Sequence, residues 1–474
     1  MVLFKPINII IIVFLLNKCS TKRELIFVYE HARHGARGPS SSYGSILNND
    51  TDEYQIYWGS DGELSQIGKR QHYYLGVRNR IKYEGFLNFN QYNPKEILIH
   101  ATDYNRTHQS ILSELYGMYG NLKERELMGD ETEYDMVNTK YMDKELKAKI
   151  EANMTDLGDK VNALSFPVFN VHKFPDKRIF LVDDCIKMNN YRDEKVGQVV
   201  REFYKEFDEN FGDAFTNFTN YTLDYFHLYD IMKSVTDHFI CDYDNKKEMD
   251  HLERKGLNLR QFYDYSKRFY GHFIFNYFID EYTSGLEETH LLQDVLGYMD
   301  RRIKLHPLIT YKAPKMVMDC GHDTTVGPIA RFMNATFGVK YHPFCEFSCN
   351  IYFELFKEDG EDNYSVDYYL DDELIFQKMP YKEFKAGLQS HFWNDTYMDE
   401  FCGRKEDADI DNTSKLSNYA NLLFGISIVT TILLIIFVTS TIVIFKRLKA
   451  LQHKIQENPL MGKEMEGSEL PALN

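Results

Sequence analysis

Leu422–Phe445 reads LLFGISIVTTILLIIFVTSTIVIF, 24 residues without a charge in a chain of 474. At about 1.5 Å of rise per residue, a helix of that length crosses a hydrocarbon core of about 30 Å. A buried helix of a soluble domain is the alternative, and it rarely runs so far without a charge. Lys446, Arg447, Lys449 and Lys454 follow the run, and Asp407, Asp409 and Asp411 precede it. The positive-inside bias therefore predicts a transmembrane helix over 422–445, a cytosolic tail over 446–474 and a polar stalk over 403–421 on the other side. At the opposite end, Lys5 and the apolar run Ile7–Leu16 within Met1–Ser20 read as a secretory signal peptide over 1–20, with an uncleaved anchor as the alternative. The globular part is then expected over 21–402, in the lumen or outside the cell.

Composition bears on what that part does. With 43% hydrophobic residues the chain has material for a sizeable core, which excludes wholesale disorder. A formal charge of −16 argues against a protein that coats nucleic acid, while leaving room for a local cationic pocket. Of seven cysteines, Cys19 falls in the signal. The remaining Cys185, Cys241, Cys320, Cys345, Cys349 and Cys402 form an even set, as expected in an oxidising compartment. Six cysteines allow about 15 pairings; Cys345 and Cys349 are close enough to pair locally, and no second Cys/His pair at finger spacing supports a metal site. Sequons at Asn49, Asn105, Asn153, Asn217, Asn220, Asn334, Asn363, Asn394 and Asn412 agree with this placement.

Three short apolar runs each end in a polar loop. Glu24–Tyr29 runs into His31–Pro39, Glu96–Ala101 into Thr102–Thr107, and Lys315–Cys320 into Gly321–Gly327. The runs read as strands, and Asp103–Tyr119 has helical spacing. In open α/β sheets the carboxyl ends of strands are where ligands bind, so the three loops are expected to share one site. From about 120 to 298 the chain is rich in Lys, Glu, Asp, Tyr and Phe, with amphipathic patterns over Lys195–Phe207 and Met249–Tyr270. This stretch is read as a mainly helical cap inserted into an α/β core of about 21–119 and 299–402.

The loops carry matching chemistry. In Arg33-His34-Gly35-Ala36-Arg37, two guanidiniums can bracket a tetrahedral dianion through forked donors. The imidazole between them can attack phosphorus and carry the phosphoryl group. Neighbouring cations disfavour imidazolium, so some nucleophile survives in acid. Gly321-His322-Asp323-Thr324-Thr325 offers His322 as a donor to a phosphoryl oxygen and Asp323 as a proton donor to a leaving alkoxide. Arg106 adds a third guanidinium. Arg33–Arg37 is fairly specific by itself, with a surface basic loop as the alternative, whereas a lone His-Asp usually marks a solvated turn and a lone Arg a surface charge; their recurrence after three strands is what points to a site.

Together, Leu25–Pro39, Gly62–Gly76, Thr102–Thr107 and Gly321–Val326 resemble the histidine acid phosphatases, branch 2 of the histidine phosphatase superfamily, and the single-span layout is similar to the lysosomal type. The resemblance implies an α/β, phosphoglycerate-mutase-like three-layer sandwich around a mostly parallel sheet, with a helical cap. It implies His34 as the nucleophile that forms phosphohistidine, Arg33, Arg37, Arg106 and His322 as the phosphate clamp, and Asp323 as the proton donor. It implies no metal and no organic cofactor. The substrates would be small phosphomonoesters, the residence a lysosomal membrane or the cell surface, and a homodimer is compatible with the family. Cys185 would pair with Cys402, leaving Cys241 with Cys320 by elimination.

The chain departs from the family at Glu30 and His31, where relatives keep apolar residues. The simpler reading is that the strand ends before Glu30; the functional one is that Glu30 tunes the pocket. Asn105 is expected to carry no glycan, because one there would crowd Arg106. Two other readings of the whole are a phosphomutase, which the secretory topology opposes, and an adhesion or receptor ectodomain that binds phosphate with little turnover, which the complete set of reactive residues opposes. The tail has no Tyr, and Glu457 to Met461 only imitates an acidic dileucine signal.

Overall fold

The computed structural model describes residues 23–40, 62–120, 144–145, 166–170, 185–219, 228–247, 249–277, 281–340, 344–402 and 446–450. The expected signal peptide, stalk and Leu422–Phe445 span lie outside the described residues. Among the described residues no helix is long and apolar enough to cross a membrane. The chain divides into two units, Met1–Cys402 and Gly403–Asn474; the sheet and the helices packed on it belong to the first.

The first strand, β1 (Glu24–Arg33), does not stop at Tyr29. Glu30 and His31 continue it, and both are fully buried. The expected early end is thus corrected: polar side chains fit in this strand because each finds buried partners on its own face of the sheet. Helix α1 (Gln66–Lys82), strand β2 (Ile97–Ala101) and helix α2 (Asn105–Tyr119) follow. Four helices come next: α3 (Ile186–Thr219), α4 (Leu228–Asp244), the short α5 (Asp250–Glu253) and α6 (Leu259–Tyr277). Helix α7 (Glu281–Leu305) leads to β3 (Met316–Gly321) and α8 (Asp323–Phe337). The meander β4 (Asn350–Lys357), β5 (Tyr364–Leu370) and β6 (Glu373–Pro380) precedes α9 (Tyr381–Ser390) and α10 (Asp395–Cys402).

The strands form one sheet in the order β2-β3-β1-β4-β5-β6. β2, β3 and β1 are parallel, whereas β4, β5 and β6 are antiparallel to their neighbours. The sheet is therefore mixed rather than mostly parallel, because β4 to β6 are joined by short turns that permit only antiparallel pairing. The register matters for the site. Arg33 sits opposite Gly321, and both Ala32 and Ala101 sit opposite Cys320, so the carboxyl ends of β1, β2 and β3 align.

Hydrophobic clusters cover both faces. On one, Ile111, Leu115 and Met118 of α2 pack with Val28, Met318 and Tyr352. On the other, Leu292 and Val295 of α7, Ile329 and Met333 of α8 and Phe384 of α9 pack with Phe27, Tyr29 and Phe353. The expected cap limit at 298 falls inside α7, whose Leu291 to Met299 lie against the sheet. A third cluster joins α3, α4 and α6 through Phe207, Phe211, Phe239 and Phe262, and it includes Ala36 and Phe347 from the loops beside the sheet.

Disulfides join Cys185 to Cys402 and Cys345 to Cys349. Cys241 and Cys320 are not paired; both are free and buried. The correction has a plain cause: Cys241 belongs to the helical cluster, while Cys320 lies in the layer between the sheet and α2.

Candidate active site

The loop after β1 is held on several sides. The His34 amide donates to the Gly321 carbonyl at 2.9 Å, and the Gly35 amide to Ser110 Oγ on α2 at 3.1 Å. Ser65, the N-cap of α1, accepts from the Gly68 amide and donates its hydroxyl to the Ala36 carbonyl. The backbones meet closely here. A Cβ on Gly35 would stand 2.4 Å from the Gly68 carbonyl oxygen, and one on Gly68 would stand 2.1 Å from that of Ala36. Only glycine allows this approach.

The six residues singled out from the sequence come together at the aligned strand ends. Arg33, His34, Arg37, His322 and Asp323 are all buried. The rings of His34 and His322 are 5.3 Å apart, edge to face. Nδ1 of His34 lies 2.8 Å from the Gly35 carbonyl. A carbonyl only accepts, so Nδ1 carries the proton and Nε2 of the neutral ring keeps its lone pair. Burial holds the His34 pKa well below the usual imidazole range, and the charges of Arg106, His322, Arg33 and Arg37 add to the effect. The ring thus stays neutral in acid.

His322 caps α8. Arg106 Nη2 approaches its Nδ1 at 3.3 Å, and Thr102 Oγ1 its Nε2 at 2.9 Å. A guanidinium only donates, so Nδ1 accepts and Nε2–H donates to Thr102. Both ring nitrogens are therefore engaged with the protein, and His322 orients Arg106. Burial, followed by the charges of Arg106 and Arg37, lowers its pKa well below the ordinary value. Burial and the nearby Arg37 also bring Arg106 down to about 10.

Arg33 Nη2 approaches Asp323 Oδ2 at 2.8 Å, an ion pair without an aligned hydrogen bond. Its Nη1 donates to the Cys345 carbonyl, and its guanidinium lies 4.2 Å from the centre of the Phe347 ring. The disulfide-closed loop Cys345–Cys349 thereby forms one wall. Arg37 is gripped by Asp237 of α4, Nη2 to Oδ1 at 2.8 Å and Nη1 to Oδ2 at 3.2 Å. For Asp237, burial would raise the pKa, but the charge and hydrogen bonds of Arg37 and the bonds from Ser40 bring it to about 2. Nε of Arg33, Arg37 and Arg106 are buried donors without a partner among the described residues. Three orphaned guanidinium donors around a neutral imidazole with a free lone pair make an anion site with a nucleophile in it.

Asp237, Thr102 and Ser110 escape a reading of the sequence. Asp237 lies 200 residues from its partner Arg37, in a stretch without a motif. Thr102 belongs to a loop whose sequence draws attention to Arg106 and the Asn105 sequon rather than to its first residue. Among the described residues no group of three or more His, Cys, Asp or Glu side chains could hold a metal ion.

Fold and site define an α/β protein whose aligned strand ends gather a neutral histidine and three guanidiniums with buried Nε donors. Residues 24–371 match the histidine phosphatase superfamily (branch 2), and the chain belongs to that family. It is 36% identical over 111 residues to the lysosomal acid phosphatase of Xenopus laevis, a match covering 23% of this chain and 24% of that protein. It is 34% identical over 97 residues to the prostatic acid phosphatase of Bos taurus, covering 20% of this chain and 24% of that one. The matches thus span about a quarter of the length of these curated relatives. The structure of the phytase from Citrobacter braakii superposes with a TM-score of 0.53 at 11% identity, over 78% of this chain and 98% of that one, which is a likeness of fold.

Proposed function

We propose that the chain hydrolyses small phosphate monoesters in two steps through a phosphohistidine on His34. The observation that carries this reading is the His34 tautomer: Nδ1–H is tied to the Gly35 carbonyl, which leaves the lone pair on Nε2, and the ring feels the charges of Arg106, Arg33 and Arg37. In the first step Nε2 attacks phosphorus, the N–P bond forms and the ester P–O bond breaks. Asp323, at the first turn of α8, gives its proton to the departing oxygen. Arg33, Arg37 and Arg106 take up the charge on the equatorial oxygens, with His322 fixing Arg106. In the second step water attacks phosphorus, the N–P bond breaks, and Asp323 regains a proton from that water. The reading suits turnover in acid, because burial and the neighbouring guanidiniums disfavour protonation of the His34 ring.

The names of the relatives and the run Leu422–Phe445 support a type I arrangement, with 21–402 in a lysosomal lumen or outside the cell. Protease protection of the tail in sealed vesicles tests that arrangement. The chemistry is tested by His34→Ala. The variant should lose turnover of an aryl phosphate and should not retain acid-labile phosphate after quenching; a variant that keeps turning over would refute the assignment.

A further inference from the structure

Behind the site lies a set of polar groups that the two-step chemistry leaves unused. Glu30, His72, Asn79 and Glu114 are all fully buried, on the α1 and α2 side of β1. His72 Nε2 lies 2.9 Å from the Arg33 carbonyl, and its Nδ1 lies 3.1 Å from Glu114 Oε2. Asn79 Nδ2 donates to Glu114 Oε1 at 2.8 Å and to Glu30 at 3.0 Å. Tyr352 donates its hydroxyl to Glu30. The Asn79 amide thus joins the two carboxyl groups.

Counting protons along this chain leaves little freedom. The Arg33 carbonyl only accepts, so Nε2 of His72 carries a proton. Nδ1 and Glu114 then share one further proton, either as acid and neutral imidazole or as carboxylate and imidazolium. Glu30 shares the Asn79 amide with Glu114, and burial and a charge on Glu114 both favour the protonated form of Glu30. The far end of the chain bears on the catalytic backbone. The peptide unit joining Arg33 to His34 is fixed on its carbonyl side by His72 and on its amide side by the Gly321 carbonyl at 2.9 Å. That one plane aims both side chains.

We propose that Glu114 and His72, braced by Asn79 and Glu30, form a buried proton-sharing pair that positions the Arg33–His34 peptide, and that the grip holds only while the two keep their shared proton. These are positioning residues, and the inference rests on His34 being the nucleophile. The groups facing the chain are Arg78 from α1, Cys320 from β3 and Tyr352 from β4, with Tyr83, Lys82 and Glu354 beyond them. Arg78 is the charged neighbour that favours ionisation of both carboxyls. Burial nonetheless raises Glu114 to about 7 and lowers His72 to about 4, so one proton occupies the pair in acid and leaves near neutrality. Deprotonation would set a bare Nδ1 lone pair against a carboxylate and loosen the grip.

Three variants test this with an aryl phosphate whose leaving group needs no proton. In Glu114→Gln the amide donates to Nδ1 at every pH. The ratio of kcat/KM at pH 7.5 to that at pH 5.5 should rise at least about threefold over the parent. In His72→Gln the amide nitrogen falls near the place of Nε2, while His72→Leu fills space without a donor; kcat/KM should be about 10–100-fold lower in the Leu variant than in the Gln variant. A Glu114→Gln profile with the parent's ratio, or equal activities of the two His72 variants, overturns the proposal. If the Leu variant does not fold, the Glu114→Gln ratio decides. His34→Ala runs alongside: turnover there refutes the nucleophile itself, whereas a dead His34→Ala with an unchanged Glu114→Gln ratio refutes only the positioning chain.

Discussion

Asp237→Asn is the perturbation whose size can be worked out most fully. Both guanidinium nitrogens at the tip of Arg37 rest on this carboxylate, which also accepts from the Ser40 amide at 3.1 Å and hydroxyl at 3.0 Å. The side chains of Arg37 and Asp237 are only 5% and 8% exposed, so solvent screens little of the attraction. Asp237 falls from its ordinary 3.8 to about 2. At roughly 1.4 kcal/mol per pH unit, that preference for the ionised form is worth about 2 kcal/mol. Removing one partner of a buried pair leaves the other charge uncompensated and typically costs about 3–5 kcal/mol. The variant should therefore lose about 2–5 kcal/mol, which at about 2 °C per kcal/mol for a large domain is a fall of about 4–10 °C in Tm. The dependence on pH has a definite sign: a depressed carboxyl pKa gives stability that is complete above 3.8 and lost as pH falls through about 2, so the gap should be equal at pH 5 and pH 8. Inorganic phosphate can replace the missing anion beside Arg37, so saturating phosphate should raise the variant's Tm more than the parent's. Thermal melts with and without phosphate read both effects. A variant that melts with the parent, or gains no more than the parent from phosphate, would refute the view that Asp237 neutralises Arg37.

Other outcomes rest on the same geometry. Asp323→Ala should lower kcat about 100-fold for an alkyl phosphate and less than about tenfold for an aryl phosphate, since only the alkoxide needs the proton; equal losses in steady-state kinetics would remove Asp323 from that role. Gly68→Ala puts a Cβ 2.1 Å from the Ala36 carbonyl oxygen, so folded yield and activity should fall together, as measured by melting and turnover. Thiol labelling followed by peptide mapping should find Cys241 and Cys320 unreactive in the native protein and labelled after unfolding without reductant. Glycopeptide mapping should find Asn105 bare, for its amide donates to Glu63 and its neighbour Arg106 faces the site.

The features legible in the sequence are those that lie close together along the chain. Arg33 to Arg37 and His322–Asp323 each sit within a few residues after an apolar run, and strand ends gather ligands, so their convergence follows from local pattern plus one topological rule. The sheet's parallel half is legible for the same reason. Its antiparallel half is not, because β4 to β6 carry Tyr, Glu and Asp among apolar residues and give a weak period. Asp237 is out of reach: its role depends on α4 crossing the loop 200 residues away, and an Asp in a charged helix has no local signature. The pairing of Cys241 with Cys320 fails because elimination counts thiols without knowing which core each enters. Glu30 is the instructive case. A carboxyl in an apolar run can mean a strand that ends early or a buried acid with partners, and nothing within the run decides between them. The decision comes from Asn79, Glu114 and Tyr352, which arrive from two helices and a strand. A buried carboxyl is costly unless it is protonated or bonded, so an acid that interrupts a strand is grounds for seeking partners before the strand is cut short.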